Sequence, residues 1–247
     1  MLENKEKPAS FKLKRGGARN KRDRVSMCLT RGQCETAIAA TLTAVSISLL
    51  PNRFITISWE LGGLRPELTV QATGRFIKLV REWVQSQGHT TAWLWVQECG
   101  PVIGAHCHIL LHVPPNLDWE FRSRPRAWVT KILNGHYVRG ALQSKRFTFA
   151  PRRGEPSSIY IAELLGRLHY MLKCTPRRFE SELGLASHGR VTWGQRQKVI
   201  GKRVGVWQGW RRVGSPELCL QLAVPSQSSP QDAFRCHAVA KPPSCRK

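Results

Sequence analysis

The chain has 247 residues, 41% of them hydrophobic, and carries 39 Lys and Arg against 16 Asp and Glu, a formal charge of +23. That length and apolar content suit one large folded domain, and the positive excess points to a polyanionic partner, nucleic acid first and an anionic membrane surface second. Eight cysteines without a Cys-x-x-Cys pair, and no apolar run long enough to cross a bilayer, argue against a disulfide-stapled scaffold and a membrane span, and for a reduced compartment.

Residues up to about Arg31 form a basic arm, with Lys12, Lys14, Arg15, Arg19, Lys21, Arg22 and Arg24 set among Gly, Asn and Ser. Such a segment has little to bury and is expected to be disordered, either as a phosphate-contacting tail or as a solubilising extension. Residues 37–50 are apolar but diluted by Thr and Ser, and read as neither a membrane span nor a signal peptide. Residues 1–50 are therefore assigned to arm and lead-in, 51–205 to the folded domain and 206–247 to a disordered tail.

Within the domain, Phe54-Ile55-Thr56-Ile57-Ser58-Trp59 alternates large apolar and small hydroxyl residues, the pattern of a strand. Ala72, Phe76, Leu79, Val80, Trp83 and Val84 recur at helical spacing with Arg75, Lys78 and Arg81 off the stripe, which predicts an amphipathic helix with a basic flank. Residues 93–98 and 105–113 are apolar runs on either side of Gly100-Pro101 and Gly104, an antiparallel hairpin. A helix is expected over 118–129 and a strand around Arg146-Phe147-Thr148-Phe149. Pro156-Ser157-Ser158 opens a further helix whose Ile161, Leu164, Leu165, Leu168, Met171 and Leu172 share one stripe. A Gly- and Arg-rich segment containing Lys198, Lys202 and Arg203 follows, then Ser, Pro and Gln without periodicity. The sum is an α+β fold, a central antiparallel β-sheet flanked by helices.

The informative chemistry lies in His106-Cys107-His108. On a strand alternate side chains share a face, so the two imidazoles project together while Cys107 points away. Histidines on a half-buried face are often merely hydrogen-bonded, but two together also make half of a divalent-metal site. Glu98 on the partner strand comes beside them if the hairpin register puts all three on one face. Tyr170 and Lys173 share one side of the last helix, opposite Leu168. Such a metal, with open positions, can polarise a phosphate for attack by the Tyr170 oxygen, with Lys173 as the cation favouring the phenolate. A structural zinc site drawn from Cys99, His106, Cys107, His108 and His112 is the rival metal reading; it is disfavoured because neighbouring strand residues face opposite ways.

Phe54-Ile55-Thr56-Ile57-Ser58, His106-Cys107-His108 with its apolar flanks, and Tyr170-Met171-Leu172-Lys173 resemble, in order and spacing, the three motifs of HUH endonucleases. In particular the chain resembles rolling-circle replication initiators of plasmids and phages, over roughly 51–205. The resemblance implies a Mg or Mn ion on His106 and His108 and a Tyr170 nucleophile helped by Lys173. It also implies nicking of single-stranded DNA at a replication origin through a 5′-phosphotyrosine, in a bacterial cytoplasm. Glu98 is the geometric choice for a third ligand. Where these initiators often carry a second tyrosine this chain has Cys174, so a single-tyrosine mechanism is expected unless Tyr160 or Tyr137 takes part. No Gly-x-x-x-x-Gly-Lys-Ser/Thr loop occurs, so a host helicase, with a polymerase, is the expected partner. Arg75, Lys78, Arg81, Lys198, Lys202 and Arg203 are the expected phosphate contacts. Trp93, Trp95, Trp128 and Trp193 are candidates for base stacking, although mostly expected in the core. A single-tyrosine transposase or relaxase shares this chemistry, and an inactive or truncated copy would bind DNA without cutting it.

Overall fold

A computed structural model describes residues 24–151, 154–185 and 198–212. The basic arm up to residue 23, the segment containing Trp193 and the tail from residue 213 lie outside the described residues. The elements are β1 (Val25–Ser26), α1 (Arg31–Ser46), β2 (Arg53–Ser58), α2 (Thr69–Ser86), β3 (Trp93–Gly100) and β4 (Gly104–Leu111). They continue with α3 (Asp118–Phe121), α4 (Arg124–Ile132), β5 (Leu142–Arg146), α5 (Ser158–Met171), α6 (Arg177–Glu180), β6 (Val199–Ile200) and β7 (Val204–Val206). Five strands form one antiparallel sheet in the order β5-β2-β4-β3-β7, so the histidine strand β4 is central. The architecture is α+β, with helices on both faces of that sheet.

Strand alternation sorts the side chains into two cores. Ile55, Ile57, Cys107, Ile109 and Leu111 face α2 and α4, with Phe76, Val80, Val84 and Val129 packed against them. Phe54, Leu94, Val96, Leu110, Val204 and Val206 face the opposite way, onto α1 and α5. His106, His108 and Glu98 belong by register to this second face. Most of it is apolar and covered, and the polar row lies at the end where α5 terminates. Among the described residues no helix is long and apolar enough to cross a membrane.

The folded unit begins before residue 51. Thr30 caps α1 reciprocally with Gln33, its hydroxyl accepting from the Gln33 N–H while the Gln33 carboxamide accepts from the Thr30 N–H. Cys34, Ala37, Ala40 and Ala44 are buried against the sheet. The lead-in assignment failed because these small residues make no strong hydrophobic pattern, yet small side chains let the helix pack closely. Nor does the domain end at 205. Val206 and Trp207 are core residues, and the Trp207 indole donates to the Ala40 carbonyl at 3.2 Å.

Two local expectations also shift. The helical stretch expected over 118–129 is two helices, α3 and α4, with Pro125 at the start of the second, where its missing N–H is tolerated. The strand expected around 146–149 is β5, ending at Arg146. Phe147 turns into the core, and the N–H groups of Thr148 and Phe149 donate to the Glu163 carboxylate at 3.1 Å instead of to a strand. At the start of α5 the Ser157 hydroxyl caps the helix, accepting from the Tyr160 N–H at 3.2 Å, within the Pro156-Ser157-Ser158 stretch expected to open it.

Both revised boundaries can be checked by urea unfolding. A fragment of residues 51–205 should lack the cooperative transition of the full chain, and Trp207→Ala should cost about 3–5 kcal/mol. A fragment as stable as the full chain would contradict the placement of α1 and Trp207 in the core.

Candidate metal centre

Register decides this site. In the β3–β4 ladder Glu98 stands opposite His106 and Val96 opposite His108, while in the β2–β4 ladder Thr56 stands opposite His108 and Ser58 opposite His106. The condition placed on Glu98 by the sequence, one shared face, is met. Glu98, His106 and His108 are 2%, 4% and 3% exposed, and their ligand atoms lie within 4.8 Å of one another. Glu98 Oε2 is 3.3 Å from His106 Nε2 and 3.5 Å from His108 Nε2.

The hydrogen bonds behind the rings orient them. His106 Nδ1 donates to the Gly104 carbonyl at 2.8 Å; because a carbonyl can only accept, Nδ1 carries the proton. Its Nε2 is thereby turned toward the Glu98 carboxylate, as is that of His108. His108 Nδ1 pairs with the Thr56 hydroxyl at 2.9 Å, and its Nε2, like Glu98 Oε1, is buried without a hydrogen-bond partner. Two nitrogens and a carboxylate, each backed by an outer contact or left with an unsatisfied atom, fit a divalent metal. This buried group can bind a metal ion. Among the described residues no cysteine joins it. Cys107 is buried in the opposite core, and His112 Nδ1 is engaged by the Leu50 carbonyl at 2.8 Å, so the rival zinc set does not assemble.

The turn that carries the site is pinned. Gly104 has φ +61, and a Cβ there would run into the Glu60 carboxylate, so glycine is required on both counts. Glu60 Oε2 accepts from the Ala105 N–H at 2.6 Å and Ser58 Oγ donates to the Ile103 carbonyl at 2.6 Å.

Glu98 sits among positive charge. Burial alone would raise its pKa, but the His106 and His108 imidazoles, followed by the Lys173 charge, hold it well below the usual carboxylate range. Burial likewise depresses His108, against the raising influence of Glu98. Lys173 lies just past the end of α5, and its Nζ donates to Glu98 Oε2 at 2.5 Å while standing 3.8 Å from the Tyr170 ring centroid. The Tyr170 ring is 5.2 Å from that of His108, edge to face, and Tyr170 remains 42% exposed. The structure thus brings Glu98, His106, His108, Tyr170 and Lys173 together.

The other two tyrosines are elsewhere. Tyr160 is fully buried and its hydroxyl donates to the Pro51 carbonyl at 3.0 Å; burial pushes its pKa up, followed by the nearby Glu163. Tyr137 packs with the α2 and α4 core on the opposite face.

The expected phosphate contacts do not gather here. Arg75, Lys78 and Arg81 are exposed on α2, which covers the opposite sheet face, and Lys78 pairs with Glu82 at 3.6 Å. Lys198 and Lys202 are exposed around β6, with Lys202 over Trp95 at 5.7 Å. Arg203 is 1% exposed and cannot be a surface contact. Burial lowers its pKa against the raising fields of Cys174 and Glu98, which makes it part of the positive surround of Glu98. Of the tryptophans, Trp95 and Trp128 are buried and Trp93 is partly buried. Thr56 is the site residue the sequence reading passed over; its signal was a hydroxyl at an in-facing position two residues beyond Phe54.

No family model, curated protein or solved structure matches the chain. The site is therefore read from its geometry.

Calorimetric titration with Mn or Mg should give one site per chain, lost in His106→Ala or Glu98→Ala and weakened about 10–100-fold in Thr56→Val, as for other outer contacts of metal ligands. Lys173→Met should bind the ion more tightly, because an ammonium group no longer shares Glu98 Oε2. Unchanged affinity in His106→Ala would remove the site.

Proposed function

We propose that the protein is a metal-dependent, single-tyrosine nickase of single-stranded DNA, related to HUH-type rolling-circle initiators. The observation that carries this is the placement of the exposed Tyr170 beside a buried two-histidine, one-carboxylate cluster, with Lys173 touching both. Glu98, His106 and His108 hold the ion, Mg or Mn. Bound there, a divalent ion supplies Lewis-acid polarisation of a phosphate oxygen.

The chain's own residues supply the rest. Tyr170 Oη attacks phosphorus, one O–P bond forms and the bond to the 3′ oxygen breaks. The phenolic proton passes to water, to which Tyr170 is exposed, and the departing 3′ oxygen takes one from water, so the step needs no redox partner. Lys173, beside the phenol ring, offers positive charge to the tyrosine oxygen or the phosphate. The phosphotyrosine bond conserves the energy of the cut bond, so the strand can be rejoined by a 3′ hydroxyl. With Tyr160 and Tyr137 both remote, one tyrosine carries the cycle. The positive charge of the chain suits a DNA strand. Initiation at a plasmid or phage origin, with strand separation by a host helicase, is the biological setting this chemistry fits. Single-tyrosine transposition shares the same covalent step.

The test is incubation with labelled single-stranded DNA from the gene's own flanking sequence, with Mn or Mg, and a denaturing gel. A covalent adduct should form with wild type, vanish in Tyr170→Phe and His106→Ala, and form about 100-fold more slowly in Lys173→Met, within the usual range for loss of one catalytic side chain. The Lys173→Met variant would then combine tighter metal binding with slower chemistry. Binding without an adduct, on either strand and with either ion, would contradict the proposal.

A further inference from the structure

A groove of about 520 Å³ opens beside Tyr170, between α5 and the edge strand β5. Its volume falls within the roughly 300–1,000 Å³ of small-molecule sites, enough for one nucleotide. The register explains its walls. Gln143 stands opposite Thr56, which stands opposite His108, and Lys145 stands opposite Phe54. Gln143 and Lys145 therefore extend the row that leads to the metal-type cluster, and both are exposed.

On the helix side, α5 presents Glu163, Gly166 and Tyr170 at i, i+3 and i+7, with Arg167 beside them. Gly166 leaves the groove open, since a Cβ there would meet nothing within 4 Å. The Phe54 ring forms the floor, stacked on His108 at 5.4 Å and 16°, with the Arg167 guanidinium 5.3 Å from its centroid. Glu163 is the one acid of the groove, and its carboxylate is engaged by two backbone N–H groups and Arg167. What remains is an apolar-floored slot with a free-standing carboxamide and two cations on its rim.

We infer that this groove receives one unpaired nucleobase of the DNA strand next to the phosphate attacked by Tyr170, with Gln143 reading the base edge and Lys145 contacting the adjoining phosphate. The inference rests on single-stranded DNA being the ligand, as proposed above. A carboxamide offers one donor and one acceptor side by side, the combination that discriminates among base edges. The Arg167 guanidinium, which lies over the Phe54 ring, can accept any base by stacking. Gln143 is thus a specificity-determining residue, and Gly166 is the residue that keeps the slot open.

The test is fluorescence anisotropy of the full-length protein with short labelled homopolymers of each deoxynucleotide, in EDTA so that neither metal nor bond cleavage contributes. Wild type should prefer one homopolymer over the weakest by at least about 5-fold, the low end of single-base discrimination. Gln143→Leu should level that preference to within about 2-fold, and Gly166→Leu should weaken binding to all four by about 10-fold, the loss of one stacked base. An unchanged melting temperature and unchanged metal titration for Gly166→Leu would show that the fold and the cluster are intact. Equal binding of the four homopolymers by wild type, or undiminished binding by Gly166→Leu, would overturn the inference. If the preference depends on Gln143 but no covalent adduct forms, the groove stands and the nicking reading falls. If the adduct forms and the groove variants bind as wild type, the reverse holds.

Discussion

A buried carboxylate near the end of β3, Glu98, is the constraint on which the site depends. An ionised carboxylate taken out of water without partners would cost several kcal/mol, so its neighbours must be positive or must donate. Lys173 reaches it from the end of α5, Arg203 contributes its field from the start of β7, and two imidazoles converge on one of its oxygens. The elements that supply these groups are far apart in sequence and meet only through the sheet pairing and the packing of α5 on it. The hydrogen bond from His106 Nδ1 to the Gly104 carbonyl turns Nε2 of that ring toward the carboxylate. With the ligand atoms of Glu98, His106 and His108 within 4.8 Å of one another, the cluster can hold a metal ion.

The division of the sheet into two faces then assigns roles. The α2 and α4 side is a continuous apolar core, with Cys107 buried in it and its thiol pushed up to about 11 by burial. Its thiolate is therefore suppressed and it serves as packing. The α1 and α5 side is apolar over most of its area and turns polar where the helix ends. The polar cluster is confined to that end, beside the exposed Tyr170. The β3–β4 turn is held by Glu60 and Ser58, and the Phe54 and His108 rings are stacked beside it.

Much of this was legible in the sequence because it follows from period-two alternation. The histidine pair, the hairpin around Pro101, the helix start at Pro156-Ser157-Ser158 and the Tyr170–Lys173 pair each announce themselves over a few residues. Glu98 was legible only conditionally, since a one-residue slip would have moved it to the other face. The misses have physical causes. Helix α1 escaped because Ala37, Ala40 and Ala44 pack by being small, which leaves a weak hydrophobic pattern. Strand β5 is polar along its length because it is an edge strand, and its exposed Gln143 and Lys145 carry no burial signal. Arg203 looked like a surface cation because the type almost always is; its burial depends on long-range packing that no local window holds. Conversely, Arg75, Lys78 and Arg81 lie off their helix's apolar stripe as read, but the sheet separates them from the tyrosine.

The central claim is that the buried charge of Glu98 is shared with a divalent ion held also by His106 and His108. The most direct measurement is anomalous diffraction at the manganese edge from crystals grown with Mn. The account predicts one strong peak bounded by His106 Nε2, His108 Nε2 and a Glu98 oxygen, with the Lys173 ammonium moved off Oε2 toward Tyr170. A fully occupied Lys173–Glu98 pair with no peak between the imidazoles would contradict it.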